Sequence, residues 1–326
     1  MKGKVIGSPH RGFQTREPCL ACGFACPGRE AYLGPGSGIL NIDKPQGFTS
    51  HDVIVKVRQA SGIRRVGHAG TLDPMATGVL LVCFGQGTRV TEYLMESPKV
   101  YRAQVRLGIT TDTGDAEGRV ISRSDPRGIA LQEIEHALGS FQGRIQQVPP
   151  IYSALKKEGV PLYRLARQGV PVEPTPREVE IFRLEVLDWA PPFLEIEVTC
   201  SPGTYIRALA RDLGEKLGCG AHLSSLTRLA CGRFTLEEAA TLQEVEEAFH
   251  GGFWGLLTHP IDEALLQFEA LILDREEERM VRHGQSIPGE PAKTPFLRAY
   301  SISGEFVALL AFQEGLWRPK KVFQPL

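Results

Sequence analysis

Gly67-His68-Ala69-Gly70-Thr71-Leu72-Asp73-Pro74-Met75-Ala76-Thr77-Gly78 separates a helical pattern from a strand pattern and holds one carboxylate. Its three glycines permit tight turns and close backbone approach to another group. Pro74 fixes the backbone after Asp73 and biases Asp73 towards an extended conformation. Two readings stay open on the residues alone. Asp-Pro is a common turn, and Asp often caps a helix that begins with Pro. The same Asp also suits a loop that presents a carboxylate to a ligand. His68 is equally open between a satisfied structural histidine and a functional one.

Outward from this loop, the pattern is mixed. Gly38–Asp43 is short and apolar like a strand, and Pro45 and Gly47 then form a turn. Ser50 is expected to N-cap a helix running to about Ser61, with Val53, Val57 and Ala60 on one face and Gly62 as its stop. Val79–Phe84 is a continuous apolar run, hence a buried strand. Tyr101–Ile109 and Leu194–Cys200 alternate apolar and polar residues, the period of half-buried antiparallel strands. Helices are predicted over Leu131–Leu138, Tyr205–Leu217 and Glu237–Phe249. From about Phe268 a short helix (Asp274–Arg282) leads into short strands around Phe306–Phe312. The predicted class is α+β: a mixed, mainly antiparallel sheet flanked by helices, with a small β-rich C-terminal domain.

The 326 residues suggest about two domains. The division is expected as an extension over 1–37, a large domain over 38–262 and a small domain over 263–326. Hydrophobic residues make up 42% and the net charge is -1, which argues against an indiscriminate nucleic-acid binder. Any RNA-binding charge must therefore be gathered on one face. No apolar run is long enough to span a bilayer and no secretory pattern is present, so the expected location is the cytoplasm. Cys83 and Cys200 read as buried thiols. Cys19, Cys22 and Cys26, with a distant His10, lack the paired spacing of a zinc site and lie in an aperiodic tail. Asp112–Gly118 lacks the spacing of a calcium loop and reads as a strand-connecting turn. No metal and no cofactor are predicted; neither a Rossmann fingerprint nor a Walker loop is present.

The loop closely resembles the signature of the TruB-type tRNA pseudouridine synthases, GH(T/A)G(A/T)LDP-x-A-TG, nearly residue for residue. The resemblance runs on. Gly38–Ser50 resembles the family's opening motif, with Lys44-Pro45 in place. Lys99-Val100-Tyr101 resembles the motif with an active-site tyrosine. Val148–Lys156 and Tyr163–Gly169 resemble the bacterial-type insertion. Cys200–Asp212 resembles the motif that carries an active-site arginine, and Leu213–Leu229 follows it as expected. The match covers roughly residues 38 to 240.

The resemblance implies the pseudouridine synthase fold, a PUA-like C-terminal domain, and isomerisation of uridine 55 in the T arm of tRNA. That reaction breaks C1′–N1 and forms C1′–C5, so atoms balance without a redox cofactor. It implies Asp73 as nucleophile, attacking C1′ of the ribose or C6 of the uracil. Arg207 is its expected partner, favouring the ionised carboxylate. Tyr101 is the expected stacking platform with a hydroxyl for proton transfer. The target base must leave its stack to be reached, and His68 is placed against the gap it leaves. Tyr205, Tyr152, Lys156, Arg167 and Arg228 are expected contacts of the substrate or its RNA, and Lys44 either supports the loop or meets a phosphate.

Arg144–Val170 gathers Arg144, Lys156, Lys157, Arg164 and Arg167 around Tyr152 and Tyr163, a basic and aromatic mixture that suits RNA. The resemblance makes it a thumb-like insertion over about 144–170. Arg318, Lys320 and Lys321 form a second basic cluster. The expected partner is tRNA, with no protein partner, in a monomer. Three rivals stand beside this reading: a guide-RNA-dependent pseudouridine synthase subunit, a non-catalytic tRNA-binding or tRNA-folding protein, and a carboxylate-based nucleoside hydrolase. The hydrolase lacks a second motif-borne carboxylate to serve as acid.

Overall fold

The computed structural model describes residues 36–152, 156–157, 159–161, 168 and 174–324. The predicted tail motif (His10, Cys19, Cys22, Cys26) and Tyr163, Arg164 and Arg167 of the basic stretch lie outside the described residues.

Along the chain, β1 (Gly38–Lys44) leads to α1 (Ser50–Ser61), β2 (Val66–Ala69) and β3 (Thr77–Phe84). Then come α2 (Thr91–Met95), β4 (Lys99–Leu107) and a hairpin of β5 (Ile109–Thr111) and β6 (Val120–Arg123). Next are α3 (Leu131–Gly139), β7 (Gly143–Gln147), the small pair β8 (Lys156–Lys157) and β9 (Val160–Pro161), β10 (Arg177–Ala190) and β11 (Phe193–Cys200). They are followed by α4 (Ile206–Lys216), β12 (Ala221–Cys231), β13 (Phe234–Thr235), β14 (Ala240–Thr241), α5 (Leu242–His250) and β15 (Thr258–His259). The last part holds β16 (Glu269–Ile272), α6 (Arg275–Arg282), β17 (Ile287–Pro288), β18 (Phe296–Tyr300), β19 (Phe306–Gln313) and β20 (Leu316–Val322).

The large sheet has the order β14-β1-β3-β12-β4-β11-β10-β7. Most pairs are antiparallel; β1–β14 and β3–β12 are parallel. The α+β class with a mainly antiparallel sheet is therefore the observed one. One sheet face and the helices around it enclose the main core, with Leu40, Ile42, Val105, Ile196, Leu209, Leu213 and Leu223 among its buried residues. The second sheet, β16-β18-β19-β20-β17, encloses a core of its own around Leu273, Val281, Ala299 and Trp317. It meets the first through Leu309 and Phe323, which pack with Tyr93, Leu94 and Ile39.

Several predicted boundaries move. The cap of α1 is Thr49, not Ser50: Thr49 and Asp52 bond each other's backbone reciprocally as a capping box. That frees Ser50 for another task. Gly67–Gly78 is not loop throughout, because Val66–Ala69 pairs with Leu81–Phe84. The alternating strand from Tyr101 stops at Leu107, where Gly108 turns to φ 82 and the chain enters the hairpin. The last predicted helix starts at Leu242 rather than Glu237, since Thr241 and Glu244 form a capping box and Ala240–Thr241 joins β1 as a strand.

The register around the centre builds the site. β12 sets Arg228 opposite Gly78 on one side and opposite Tyr101 on the other. A Cβ on Gly78 would lie 2.3 Å from the Arg228 carbonyl oxygen, and Gly78 has φ 97. Strand contact and backbone shape both require glycine here. Gly78→Ala is expected to lose on the order of 3 kcal/mol of stability in urea unfolding. A loss under about 0.5 kcal/mol would contradict this packing.

Candidate active site

Asp73 sits on the loop between β2 and β3, and the loop is held from three sides. Ser50 Oγ, freed from capping, accepts from Leu72 N at 2.8 Å and lies 3.2 Å from Leu72 O. Gly47 N donates to Pro74 O at 2.8 Å. Lys44 is fully buried, and its Nζ donates to Phe48 O at 2.6 Å, Pro45 O at 2.9 Å and Pro74 O at 3.4 Å. Of the two roles open to Lys44, this geometry is that of a loop support, since its three donors meet three carbonyls.

Burial lowers the Lys44 ammonium to about 8, against the pull of Asp73 and other acids. An unfolded lysine titrates near 10.5. Between these values the unfolded chain binds the extra proton, so stability rises with pH in that window. Relative to Lys44→Met, the stability of the native protein is expected to increase from about pH 8 to about pH 10.5. Urea unfolding across that range checks it; a difference that stays flat would remove Lys44 as the titrating group.

Asp73 meets Arg207 from the first turn of α4. The Arg207 Nε lies 2.9 Å from Asp73 Oδ2, and Nη2 donates to Asp73 Oδ1 at 3.2 Å. Nη2 thus makes the hydrogen bond, while Nε approaches the second oxygen as an ion-pair contact without hydrogen-bond geometry. Nη1 donates to Asp115 Oδ2 at 3.2 Å and Thr113 O at 3.1 Å, and Nη2 also donates to Tyr152 O at 2.9 Å. Arg207 is 5% exposed and Asp115 7%, whereas Asp73 is 34% exposed. Arg207 and Asp115 are thus buried behind Asp73, which faces the cleft.

Asp115 is the residue that sequence reading missed. It lies in the Asp112–Gly118 turn between β5 and β6, read from sequence only as a connection. Thr113 Oγ1 and Glu117 N donate to its Oδ1 at 2.6 and 3.1 Å. The turn is docked by Leu223 N on Gly114 O at 3.0 Å. No local signal marks a carboxylate 92 residues from its arginine. A second missed residue is Gln147, fully buried on β7. Its amide accepts from Tyr205 N at 2.8 Å and donates to Tyr205 O at 3.1 Å, fixing the entry to α4.

Burial pushes the Asp73 carboxyl above the usual carboxylate range; Arg207 opposes that shift and Asp115 adds to it. Tyr101 is 9% exposed, and burial raises its phenol, while the Arg228 cation and its hydrogen bond to the hydroxyl pull the other way. Arg228 is almost fully buried, donating from Nε to Val79 O at 2.6 Å and from Nη2 to Gly70 O at 3.3 Å. It braces the wall of the site rather than standing at its surface. Burial, with Arg228 and His51 nearby, lowers His68.

A cleft of about 340 Å3 opens over these groups. It brings together Asp73, Tyr101, Tyr205, Arg207 and Arg228 of the sequence-derived residues, together with Lys99 and Arg177. His68 and Lys44 do not line it. Tyr152 contributes its carbonyl to Arg207, and Lys156 falls on β8.

The second basic cluster is largely engaged within the molecule. Lys321 pairs with Glu92 of α2, Lys320 lies 4.2 Å from the centre of the Phe296 ring, and Arg318 pairs with Glu314 at 3.0 Å. In the first basic stretch, Arg144 lies 3.9 Å from Glu180 and 4.0 Å from Glu178.

Residues 58–206 match the TruB family pseudouridylate synthase (N terminal domain), and residues 207–272 match the tRNA pseudouridylate synthase B C-terminal domain. The chain is similar to tRNA pseudouridine synthase B of Syntrophotalea carbinolica, 53% identical over 64% of this chain and 69% of that protein. It is also similar to tRNA pseudouridine synthase B of Dehalococcoides mccartyi, 42% identical over 88% of this chain and 96% of that protein. Among solved structures, a chain of a Cbf5-Nop10-Gar1 complex superposes with TM-score 0.71 at 26% identity, covering 95% of this chain and 92% of that one.

Proposed function

The chain belongs to the TruB family of pseudouridylate synthases and is an isomerase of tRNA uridine; from that premise we infer that its target is uridine 55 of the T loop and that Asp73 is its nucleophile. The observation that carries this reading is the Asp73 carboxylate, one-third exposed in the cleft, hydrogen-bonded through one oxygen and ion-paired through the other to a buried Arg207.

The fork fixes Asp73 without covering it. The carboxylate bonds to the nucleoside at C1′ or C6, and the C1′–N1 bond breaks with its electron pair on the uracil. The ring turns, C5 bonds to C1′, the Asp73 bond is released, and the C5 proton leaves. Nothing is gained or lost beyond that proton exchange. Tyr101, a neutral phenol in the cleft, offers a face on which the uracil stacks through the turn. A base paired or stacked in the T arm is out of reach of this cleft, so the uridine is flipped into it. His68, outside the cleft on β2, the strand that leads into the Asp73 loop, is then placed to meet the vacated stack.

The neighbouring fold includes a protein crystallised with Nop10 and Gar1. For this chain we infer a stand-alone, monomeric, cytoplasmic enzyme; no helix of the described residues is long and apolar enough to cross a membrane. The residues 263–326 are assigned to a PUA-like domain that meets tRNA away from the cleft. The test is tritium release from a T-arm stem–loop labelled at C5 of uridine, with purified protein and no guide RNA. Release is expected. Tight binding without release would overturn the stand-alone reading in favour of a guide-dependent or non-catalytic protein.

A further inference from the structure

Three guanidiniums line the cleft, and two are committed inside the protein. Arg207 has its donors on Asp73, Asp115, Thr113 O and Tyr152 O, and Arg228 on Val79 O and Gly70 O. The cleft lysine, Lys99, is also committed, to Met95 O and to Ser97 O at 2.6 Å. Arg177, the first residue of β10, is exposed and has no ion-pair or hydrogen-bond partner for its side chain among the described residues.

Its surroundings explain why. Glu178 and Glu180, the nearest acids in sequence, both lie beside Arg144. The turn beneath Arg177 is satisfied without it. Ser201 N donates to Glu180 O at 2.8 Å, Glu180 N donates to Ser201 Oγ at 2.9 Å, and Thr204 Oγ1 donates to Ser201 O at 2.9 Å. Gly203, at the apex of that turn with φ 83, leaves the guanidinium uncrowded: an added Cβ would come only within 3.8 Å of Nη1. A planar cation with no partner among the described residues therefore stands at the cleft rim on a strand and a clamped turn.

We propose that Arg177 binds a backbone phosphodiester of the RNA adjacent to the flipped uridine, an inference that rests on the uridine-flipping reading above. The base and ribose fill the cleft over Asp73. The flanking phosphates keep their charge and cannot follow them towards a second anion, so they stay at the rim. A guanidinium fork matches two phosphate oxygens there, and an ammonium does so less well. Arg177 acts by fixing where the flipped nucleotide enters, not by touching the reacting bonds.

The experiment compares native protein, Arg177→Gln and Arg177→Lys on the T-arm stem–loop. Fluorescence anisotropy gives affinity against salt, and tritium release gives KM and kcat. Arg177→Gln is expected to weaken binding about tenfold, acting on KM more than on kcat, and to reduce the salt slope by about 0.7 to 1. Arg177→Lys should recover part of the affinity and all of the slope. A neutral methylphosphonate, placed in turn at each link flanking the target, should weaken native binding at one link and leave Arg177→Gln unaffected at that link. An unchanged salt slope in Arg177→Gln, or equal methylphosphonate losses in both proteins, overturns the proposal. Binding is read without turnover, so failure of the native protein to release tritium would count against the uridine 55 reading and leave the Arg177 result to be judged on its own.

Discussion

Asp73→Asn is expected to abolish tritium release, by on the order of 10^4-fold or more, while RNA affinity stays within a few-fold. The substitution keeps the shape of the side chain and one acceptor oxygen for Arg207, so the loop anchored by Ser50, Gly47 and Lys44 stays in place. What it removes is the nucleophilic charge. Asp73 is one-third exposed, so its ion pair is partly screened and its loss costs little stability. Loss of activity with a nearly unchanged melting temperature therefore separates a chemical role from a structural one. Retained turnover would exclude Asp73 as nucleophile. A collapse of stability would make it a structural member of the Arg207 pair. The native pH profile belongs to the same test. Because burial holds the Asp73 carboxyl above the usual range in the free enzyme, the acid limb of kcat/KM should fall at a higher pH than an ordinary aspartate would give.

What the sequence made legible follows from how local each signal is. Tyr101 lies on a strand whose side chains alternate cleanly, and that strand is β4. The apolar run Val79–Phe84 is β3, buried on both faces. The motif resemblance singled out Asp73 and Arg207, and the chain brings them together across 134 residues. The long strands β10 and β12 escaped notice because each carries two register shifts that break the period-two pattern. β12 matters most, since its register sets Arg228 between Gly78 and Tyr101. Asp115 escaped for a different reason. In the sequence Asp-Thr-Gly-Asp-Ala-Glu-Gly the aspartates and glycines all suit a turn, and only tertiary docking on β12 selects which acid turns inward.

Arg207→Gln is expected to damage both activity and stability, because the guanidinium joins two carboxylates of different exposure. On one side it orients Asp73 through a hydrogen bond and an ion-pair contact, and losing both is expected to reduce kcat by on the order of 10^2 to 10^3. On the other it neutralises Asp115, which is 7% exposed. Removing the cation leaves that carboxylate buried without its ion-pair partner, at a cost of about 3–5 kcal/mol. Arg207→Lys keeps the charge but not the fork, so it should recover part of the stability and little of kcat. Asp115→Asn tests the same triad from behind. It takes away a negative charge that helps raise Asp73, so the acid limb of activity should move to lower pH than in the native protein. It should also spare Arg207→Gln some of its stability loss, since the buried carboxylate would already be gone. The double variant should therefore be more stable than the sum of the two single losses, with a coupling of about 1–3 kcal/mol by urea unfolding. Additive losses and an unmoved acid limb would mean that Asp115 fills space behind the site without setting the charge of Asp73. Coupled losses with a shifted limb would make Arg207 a lever between a buried carboxylate and a reactive one, so that the hairpin turn tunes the nucleophile without approaching the substrate.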